Sequence, residues 1–238
     1  MKYTACLRAI PRRTIRNRGA GPVLSMLFID AMVAAFAAGA WYFAFTRYNY
    51  RRGIQALRRV GAACASEGSI VQARWQGSSR LQANLRFPTQ WFERVRVTLR
   101  LCPRPVPFQW LLWIARKQKE TFTFEADLDC APGSALEIFR QSWFTHGNMA
   151  LAADSQDWLI SQLGPVVFTT RPQWTHELPP VVHTFMTSTG RNLLSVRLRS
   201  KSPHLTATIA LDALADQESA AGFLTVLRDL AAASTSRQ

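Results

Sequence analysis

The sequence predicts an α+β protein in which a single N-terminal transmembrane helix is followed by a mainly antiparallel β-sheet domain with a C-terminal amphipathic helix. Three observations predict this class: a long, nearly uncharged segment near the N-terminus, several stretches of alternating apolar and polar residues, and a last stretch with helical periodicity. Of the 238 residues, 48% are hydrophobic and 18% are charged, which excludes a disordered chain. The counts of 12 Gly, 12 Pro and 4 Cys exclude collagen-like proteins and disulfide scaffolds.

The formal net charge of +14 is concentrated around the apolar segment. The basic N-terminal tail, residues 1–21, carries six basic residues and no acid, and residues 47–61 carry five more without an acid. Residues 62–238 hold 18 basic and 14 acidic residues, so most of the chain is close to neutral. A nucleic-acid-binding protein places its basic stripe on a folded face, so this distribution argues against a nucleic-acid partner.

The first predicted element is a transmembrane helix over residues 22–46. Residues 23–46 contain one charged residue, Asp30. As a helix they would span about 36 Å, which exceeds the roughly 30 Å of a bilayer core. The alternative is a buried helix of a soluble protein, which rarely runs this long without a polar stripe. The segment also exceeds the usual signal-peptide core of about 7–15 residues, so we expect an uncleaved anchor.

Aromatic and basic residues gather where the apolar segment ends. Tyrosine and tryptophan rings favour the headgroup zone of a bilayer, and arginines near the surface of an anionic bilayer contribute about 1 kcal/mol each. We expect a basic juxtamembrane helix over residues 47–67, which either continues the anchor or lies on the headgroups. The predicted interface anchors are Trp41, Tyr42, Tyr48 and Tyr50. The predicted headgroup contacts are Arg47, Arg51, Arg52, Arg58 and Arg59.

Small residues form a strip along one face of the predicted transmembrane helix, with an acid at its head. Such a strip lets two helices approach closely, and polar groups bond across the interface. The predicted helix-packing residues are Asp30, Ala31, Ala34, Ala35, Ala38 and Gly39. Here Asp30 is paired or protonated, because an acid facing lipid near the bilayer centre costs roughly 2.5–3.5 kcal/mol. The alternative is that Asp30 lies close enough to the interface to stay hydrated.

The orientation of the anchor is indicated by charge and by cysteine. The basic clusters on its two sides nearly cancel under the positive-inside rule. Residues 1–21 could be native, an organelle transit peptide, or an extension ahead of an alternative start at Met26, in which case the second cluster places the sheet domain in the cytoplasm. Cys64, Cys102 and Cys130 are odd in number and not closely paired, which fits a reducing compartment. We therefore predict a single-pass membrane protein with a cytoplasmic domain.

The extramembrane domain, residues 68–238, begins with alternating strands. Residues 70–75 and 81–87 are joined by a hairpin-like turn. Residues 94–101 and 121–129 alternate in the same way, with three arginines on the outside of the first and three acids on the outside of the second. Opposite charges on adjacent strands stabilise a sheet by about 0.2–1 kcal/mol a pair. We therefore expect these two strands to be neighbours.

The apolar stretch 108–114 predicts a buried strand or a short helix. The alternative is a surface that dips into the membrane, because Arg116, Lys117 and Lys119 follow it. A division of the domain into two lobes near residues 144–155 is left open. The later predicted elements are a strand at 135–143, a short helix at 154–163, strands at 166–170, 181–187, 193–200 and 205–211, and a helix at 217–233.

No motif in the sequence is specific to an enzyme, a metal site or a cofactor, and we predict no catalytic residues, metal ligands or cofactors. Glu125, Asp127 and Asp129 would share one strand face, where the simpler interpretation is a solvated face paired with arginines. His176 and His183 lack the H-E-x-x-H spacing of a zinc protease, and prolines interrupt the intervening segment.

We therefore expect a non-enzymatic binding or interaction domain held at the membrane surface. The expected partners are the lipid bilayer and another transmembrane helix, from a second copy or another subunit, with no nucleic acid and no metal. Two alternatives stay open. The first is a membrane-tethered enzyme that uses the acids of strand 121–129, and the second is nucleic-acid binding through Arg94, Arg96 and Arg100.

Overall fold

The computed structural model describes residues 20–64, 68–87, 92–132, 135–140, 159–163, 166–170 and 193–235. The chain divides into two compact units, Met1–Trp41 and Tyr42–Gln238. One continuous helix, α1 (Ala20–Cys64), supplies the described part of the first unit and the beginning of the second. The predicted boundary between the anchor and the juxtamembrane helix, at residues 46 and 47, therefore falls inside one helix.

The sheet follows α1 in the chain. The remaining described elements are β1 (Ser69–Gln76), β2 (Arg80–Arg86), β3 (Phe92–Arg100), α2 (Pro107–Ala115), β4 (Thr121–Leu128), β5 (Leu136–Arg140), β6 (Leu159–Leu163), β7 (Val166–Thr170), β8 (Leu193–Leu198), β9 (Leu205–Ala210), a 3-10 turn (Leu211–Leu214) and α3 (Gln217–Thr235). Within the described ranges, nine strands form one sheet in the order β1-β2-β3-β4-β9-β8-β5-β7-β6. Every one of its strand pairs is antiparallel, which confirms the predicted α+β class.

The strands with the clearest two-residue alternation form where the sequence predicts them. In β4, Phe122, Phe124, Ala126 and Leu128 are buried, and the residues between them are less so. The predicted hairpin joins β1 to β2, and Gly77 in its turn has a φ of 74°, a conformation that favours glycine. As expected from their charges, β3 and β4 are neighbours, with Arg96 opposite Glu125 and Arg94 opposite Asp127.

One face of the sheet carries the core. The second half of α1 and the C-terminal helix α3 share a single buried cluster with the strands. Phe223 of α3 meets Phe122 of β4 edge to face, with 5.9 Å between the ring centroids. Gly53 permits the close approach of α1, because a Cβ there would lie 2.7 Å from the Trp75 ring. The predicted apolar stripe of α3 is confirmed, since Phe223, Val226, Leu227 and Leu230 are buried.

The helix α3 begins at a side-chain cap. Asp216 precedes its first residue and accepts a hydrogen bond of 2.7 Å from the backbone N–H of Ser219. That bond holds the pKa of the exposed Asp216 carboxyl below its ordinary value. An aspartate at this position satisfies one of the backbone donors that the first turn of a helix leaves unpaired.

Two expectations for the sheet domain were wrong. Residues 159–163, expected as the end of a short helix, are strand β6. The periodicity of so short a segment does not distinguish a helix from a strand. Pairing with β7 satisfies its backbone hydrogen bonds as a strand. For the stretch 108–114 we expected a buried strand or a short helix; the helix is confirmed as α2, but the expected burial was wrong, since Trp113 is its one buried residue. Pro107 in the first turn of α2 favours a helix over a strand.

Several other expectations fall outside the described residues. They include the strand at 181–187 and the first part of the helix at 154–163. The boundary between two lobes near residues 144–155 also lies there, while the described strands before and after it belong to one sheet. Strands β5, β7, β8 and β9 lie where the sequence predicts strands.

Candidate functional site

The N-terminal part of α1 exposes large apolar side chains. Within the described residues, α1 is the one helix that is long and apolar enough to cross a membrane, and none of its most apolar window is buried. A core helix of a soluble protein would bury that window. The exposed residues, each between 58% and 80% accessible, are Met26, Leu27, Phe28, Ile29, Met32, Val33, Phe36 and Phe43.

The small-residue strip lies on the same exposed part of α1. All six of its residues are exposed, and an added Cβ at Gly39 would meet no atom within 4 Å. The strip of Asp30, Ala31, Ala34, Ala35, Ala38 and Gly39 is therefore open in the isolated chain. Its role in packing against another helix stays a prediction.

The predicted interface aromatics have two kinds of surroundings. Tyr42 is 52% exposed, and Trp41 is half-buried. Tyr50 stacks on Trp75 of β1, with 5.4 Å between the ring centroids. The Arg104 guanidinium lies 5.0 Å from the ring centre of Tyr48. The two tyrosines therefore contact the sheet domain as well as solvent.

The predicted headgroup arginines also divide into two groups. Arg47, Arg51, Arg58 and Arg59 are exposed on α1. Arg52 instead contacts acids, with its Nη2 atom 2.9 Å from both Glu120 Oε2 and Asp212 Oδ1. Burial opposes the charge of Arg52, but the Tyr48 hydroxyl, Glu120 and Asp212 outweigh it and raise the pKa of Arg52. Arg52 thus has protein partners in the structure, and its contact with lipid headgroups stays a prediction.

A buried polar cluster joins α1 to the sheet domain, and we call Asn49, Arg52, Arg104 and Glu120 the junction network. Asn49 is fully buried. Its Nδ2 donates to the carbonyl oxygens of Ser78, at 3.1 Å, and Cys102, at 2.9 Å. Its Oδ1 accepts a bond of 3.3 Å from Arg104. One amide side chain therefore links α1 to the β1–β2 turn and to the segment after β3.

Glu120 is the acid of the junction network. Its Oε1 atom accepts from Arg104 Nη1 at 2.8 Å and from the Cys102 backbone N–H at 3.1 Å, and its Oε2 faces Arg52. The Glu120 side chain is only 8% exposed, so its charge is balanced by the two guanidinium groups. The sequence analysis missed Asn49, Arg104 and Glu120. A polar residue between the apolar segment and the juxtamembrane arginines was the available signal for Asn49.

The buried Cys102 thiol lies beside this network, in surroundings that disfavour its thiolate form. Burial raises the pKa of Cys102, and the charge of Arg104 only partly opposes that effect. A raised pKa keeps the sulfur protonated at neutral pH, whereas the thiolate is the reactive form. The structure therefore assigns Cys102 a packing role.

The outer face of β1, β2 and β3, away from the core, carries a set of exposed arginines that we call the arginine face. Its members are Arg74, Arg80, Arg86, Arg94, Arg96 and Arg100. Arg100 lies over Trp113, 5.0 Å from the ring centre. Arg86, Arg94 and Arg96 line a groove that Glu125 and Asp127 of β4 also border.

Among the described residues, the arginines of this face form no close ion pairs with the acids of β4 that lie beside them. Although Arg96 lies opposite Glu125 and Arg94 opposite Asp127, no nitrogen–oxygen distance of 4.0 Å or less joins these pairs in the described part of the chain. Asp127 instead accepts a hydrogen bond of 2.6 Å from Ser202. The arginines on this face therefore remain available for an anionic ligand.

The residues considered for chemistry do not form a site in the described structure. Glu125 and Asp127 lie on an open sheet face beside arginines, and Asp129 is exposed beyond the end of β4. Across residues 20–64, 68–87, 92–132 and the later described segments, no three His, Cys, Asp or Glu residues could hold a metal ion together. His176 and His183 lie outside the described residues.

Comparison with known proteins adds no family to this description. No protein-family model matches the chain, and no curated protein matches it. The class that the fold and the site define is an α+β sheet domain preceded by a helix long and apolar enough to span a bilayer.

Proposed function

We propose that this protein is a single-pass membrane protein whose sheet domain is a non-enzymatic binding module held at the membrane surface. The observation that carries the proposal is the unequal environment of α1. Its N-terminal part exposes large apolar side chains to the surroundings, and its second half contributes Ala56, Leu57 and Val60 to the core. Apolar surface of this extent is stable only when lipid or another apolar partner covers it.

The continuity of α1 supports an uncleaved anchor over a signal peptide. Signal peptides are removed at a small-residue site after the apolar core. Here the apolar segment runs directly into Asn49 and Arg52, which bind the sheet domain within the same helix. Cleavage inside α1 would separate the apolar segment from the half of the helix that completes the core.

The proposal places the sheet domain in the cytoplasm. Cys102 and Cys130 are free thiols, and Cys130 is exposed. Exposed thiols persist in reducing compartments, whereas oxidising ones favour disulfides. The basic clusters on the two sides of the anchor nearly cancel under the positive-inside rule, so the free thiols carry this part of the proposal.

The anchor and its orientation are tested together on membrane vesicles that carry the full chain. We expect the protein to stay in the pellet after alkaline carbonate extraction, and protease to digest the sheet domain only in inverted vesicles. Replacing Val33 and Phe36 by arginine should release most of the protein into the supernatant, because each charge at the helix centre costs about 2.5–3.5 kcal/mol.

The matched control adds the same two charges elsewhere. Gln72→Arg with Gln82→Arg changes residues of β1 and β2 on the outer sheet face and should leave the protein in the pellet. Release of the unmodified chain by carbonate would contradict the anchor. Digestion only in right-side-out vesicles would contradict the cytoplasmic orientation and leave the anchor in place.

Within this proposal, the arginine face is the binding surface, and its partner is an acidic segment of another protein. Six exposed arginines on three adjacent strands provide a dense row of guanidinium groups, which bind carboxylates with two hydrogen bonds each. The alternative of nucleic-acid binding fits less well. Residues 62–238 hold 18 basic and 14 acidic residues, so the sheet domain lacks the large net positive charge that binding along a phosphate backbone needs, whereas a short acidic segment needs only a few arginines.

Binding to this face is tested with polyglutamate as the probe and the full chain in detergent micelles. We expect Arg94→Gln with Arg96→Gln to weaken polyglutamate binding roughly tenfold, which corresponds to about 1.4 kcal/mol. The control pair Arg47→Gln with Arg51→Gln removes the same charge from α1 and should change binding little. Equal losses of affinity in both double variants would show that net charge, and not the arginine face, controls polyglutamate binding. Tighter binding of single-stranded RNA than of polyglutamate would favour the nucleic-acid alternative.

A further inference from the structure

The helix α2 has an unusual surface for a short helix in water. Four of its nine residues are large apolar side chains that face solvent: Phe108 is 70% exposed, Leu111 60%, Leu112 40% and Ile114 53%. Only Trp113 is buried, beneath the Arg100 guanidinium. Soluble monomers rarely expose contiguous apolar surface of this kind, so an apolar partner is expected to cover it.

The position of α2 on the sheet domain identifies that partner. Trp110 of α2 stacks against Phe45 of α1, with 6.5 Å between the ring centroids. In the sequence, Phe45 is the residue before the last one of segment 23–46, whose one charged residue is Asp30. The apolar side chains of α2 therefore lie beside the point where, in the proposed function, α1 leaves the hydrocarbon core.

Exposed basic residues follow the apolar helix α2 in the chain. Lys117, with a φ of 50°, lies just beyond the end of α2, and Arg116, Lys117 and Lys119 are all exposed. An apolar helix flanked by cations binds in the interface of an anionic bilayer, with its apolar side chains about 5–10 Å deep and its cations at the headgroups. The amphipathic ring of Trp110 also favours this depth.

We propose that α2 is an interfacial membrane helix, inserted into the leaflet from which α1 emerges, with Phe108, Leu111, Leu112 and Ile114 among the lipid chains. The inference rests on the proposed anchor, because α1 is what brings α2 to the bilayer. A lipid surface fits better than a protein groove, since α2 packs on Phe45 near the end of the apolar segment and is followed by exposed cations. In consequence two helices, the anchor α1 and the interfacial helix α2, hold the sheet domain against the membrane.

The depth of α2 is measured with a nitroxide label on the full chain in vesicles that contain anionic lipid. Leu111→Cys carries the label, and Cys6→Ser with Cys130→Ser removes two competing thiols. Because Leu111 is exposed, its replacement leaves the core unchanged. Phe36→Cys on α1 and Gln72→Cys on β1 are the lipid and aqueous reference positions. The readout is the collision of the label with oxygen, which concentrates in lipid, relative to collision with a water-soluble nickel chelate.

We expect the oxygen-to-nickel ratio at residue 111 to exceed that at residue 72 several-fold and to lie below that at residue 36. A ratio at residue 111 equal to that at residue 72, with residue 36 in lipid, overturns the interfacial helix and leaves the anchor intact. A label at residue 111 that neither reagent reaches shows that protein covers α2 and also overturns the proposal. An aqueous ratio at residue 36 contradicts the anchor itself, so the two failures are distinguishable.

Discussion

Replacing Asn49 by leucine is expected to destabilise the sheet domain by about 1–3 kcal/mol. Leucine is close to asparagine in size, so the change removes hydrogen bonds with little change of volume. The Ser78 carbonyl oxygen would lose its Asn49 donor, while the Cys102 carbonyl oxygen would keep only the bond of 2.8 Å from the Arg104 backbone N–H. Each buried acceptor left unsatisfied costs about 1–3 kcal/mol. Arg104 would also lose one acceptor.

The loss is measured by urea unfolding of the full chain in detergent, followed by tryptophan fluorescence. Gln55→Leu is the matched control, because Gln55 is an exposed amide on the same helix. Its effect should stay within about 0.5 kcal/mol, as for most surface substitutions. If both variants lowered the unfolding free energy equally, the effect would come from added surface hydrophobicity, and the junction network would not stabilise the domain as described.

The second large effect is expected at the centre of the core, where Phe122→Ala should cost about 3–5 kcal/mol. Phe122 is fully buried, and its ring meets the edge of Phe223 from α3. Alanine would leave a cavity between the sheet and α3 because close-packed surroundings relax only partly. Asn84→Ala on the exposed outer face of β2 is the control and should have little effect.

A double-mutant cycle separates the ring contact from the general loss of core volume. Phe122→Ala, Phe223→Ala and the double variant are compared by the same unfolding measurement. We expect a coupling of about 0.5–1.5 kcal/mol, the usual value for an edge-to-face aromatic pair. Strict additivity of the two single effects would show that α3 and β4 are not packed through these rings.

Insertion of α2 into the bilayer would also place one end of the arginine face near the membrane surface. Arg100 of that face lies over Trp113, and α2 follows β3 in the chain. If the apolar side of α2 lies in the bilayer, the arginine face begins near the membrane surface. Polyglutamate binding measured in anionic vesicles should then be weaker than in neutral ones, because anionic headgroups compete for the same cations.

The sequence predicted the elements whose pattern depends only on their own residues. The alternation in β2, β3 and β4 shows which side of each strand is buried, because side chains on a strand point to opposite faces. The stripe in α3 follows from the helical period in the same way. Opposite charges on β3 and β4 even predicted that the two strands are adjacent, although their side chains form no close ion pairs in the described structure.

The tertiary structure alone decided the contacts between distant parts of the chain. Asn49 and Cys102 are 53 residues apart, and no local period indicates that one binds the other. Arg52 resembles its neighbouring arginines in sequence. It forms ion pairs within the protein only because the fold brings Glu120 and Asp212 next to it. Short apolar segments are ambiguous for the same reason. The structure of such a segment depends on what packs against it, so β6 pairs as a strand while the more apolar α2 is a helix with an exposed apolar surface.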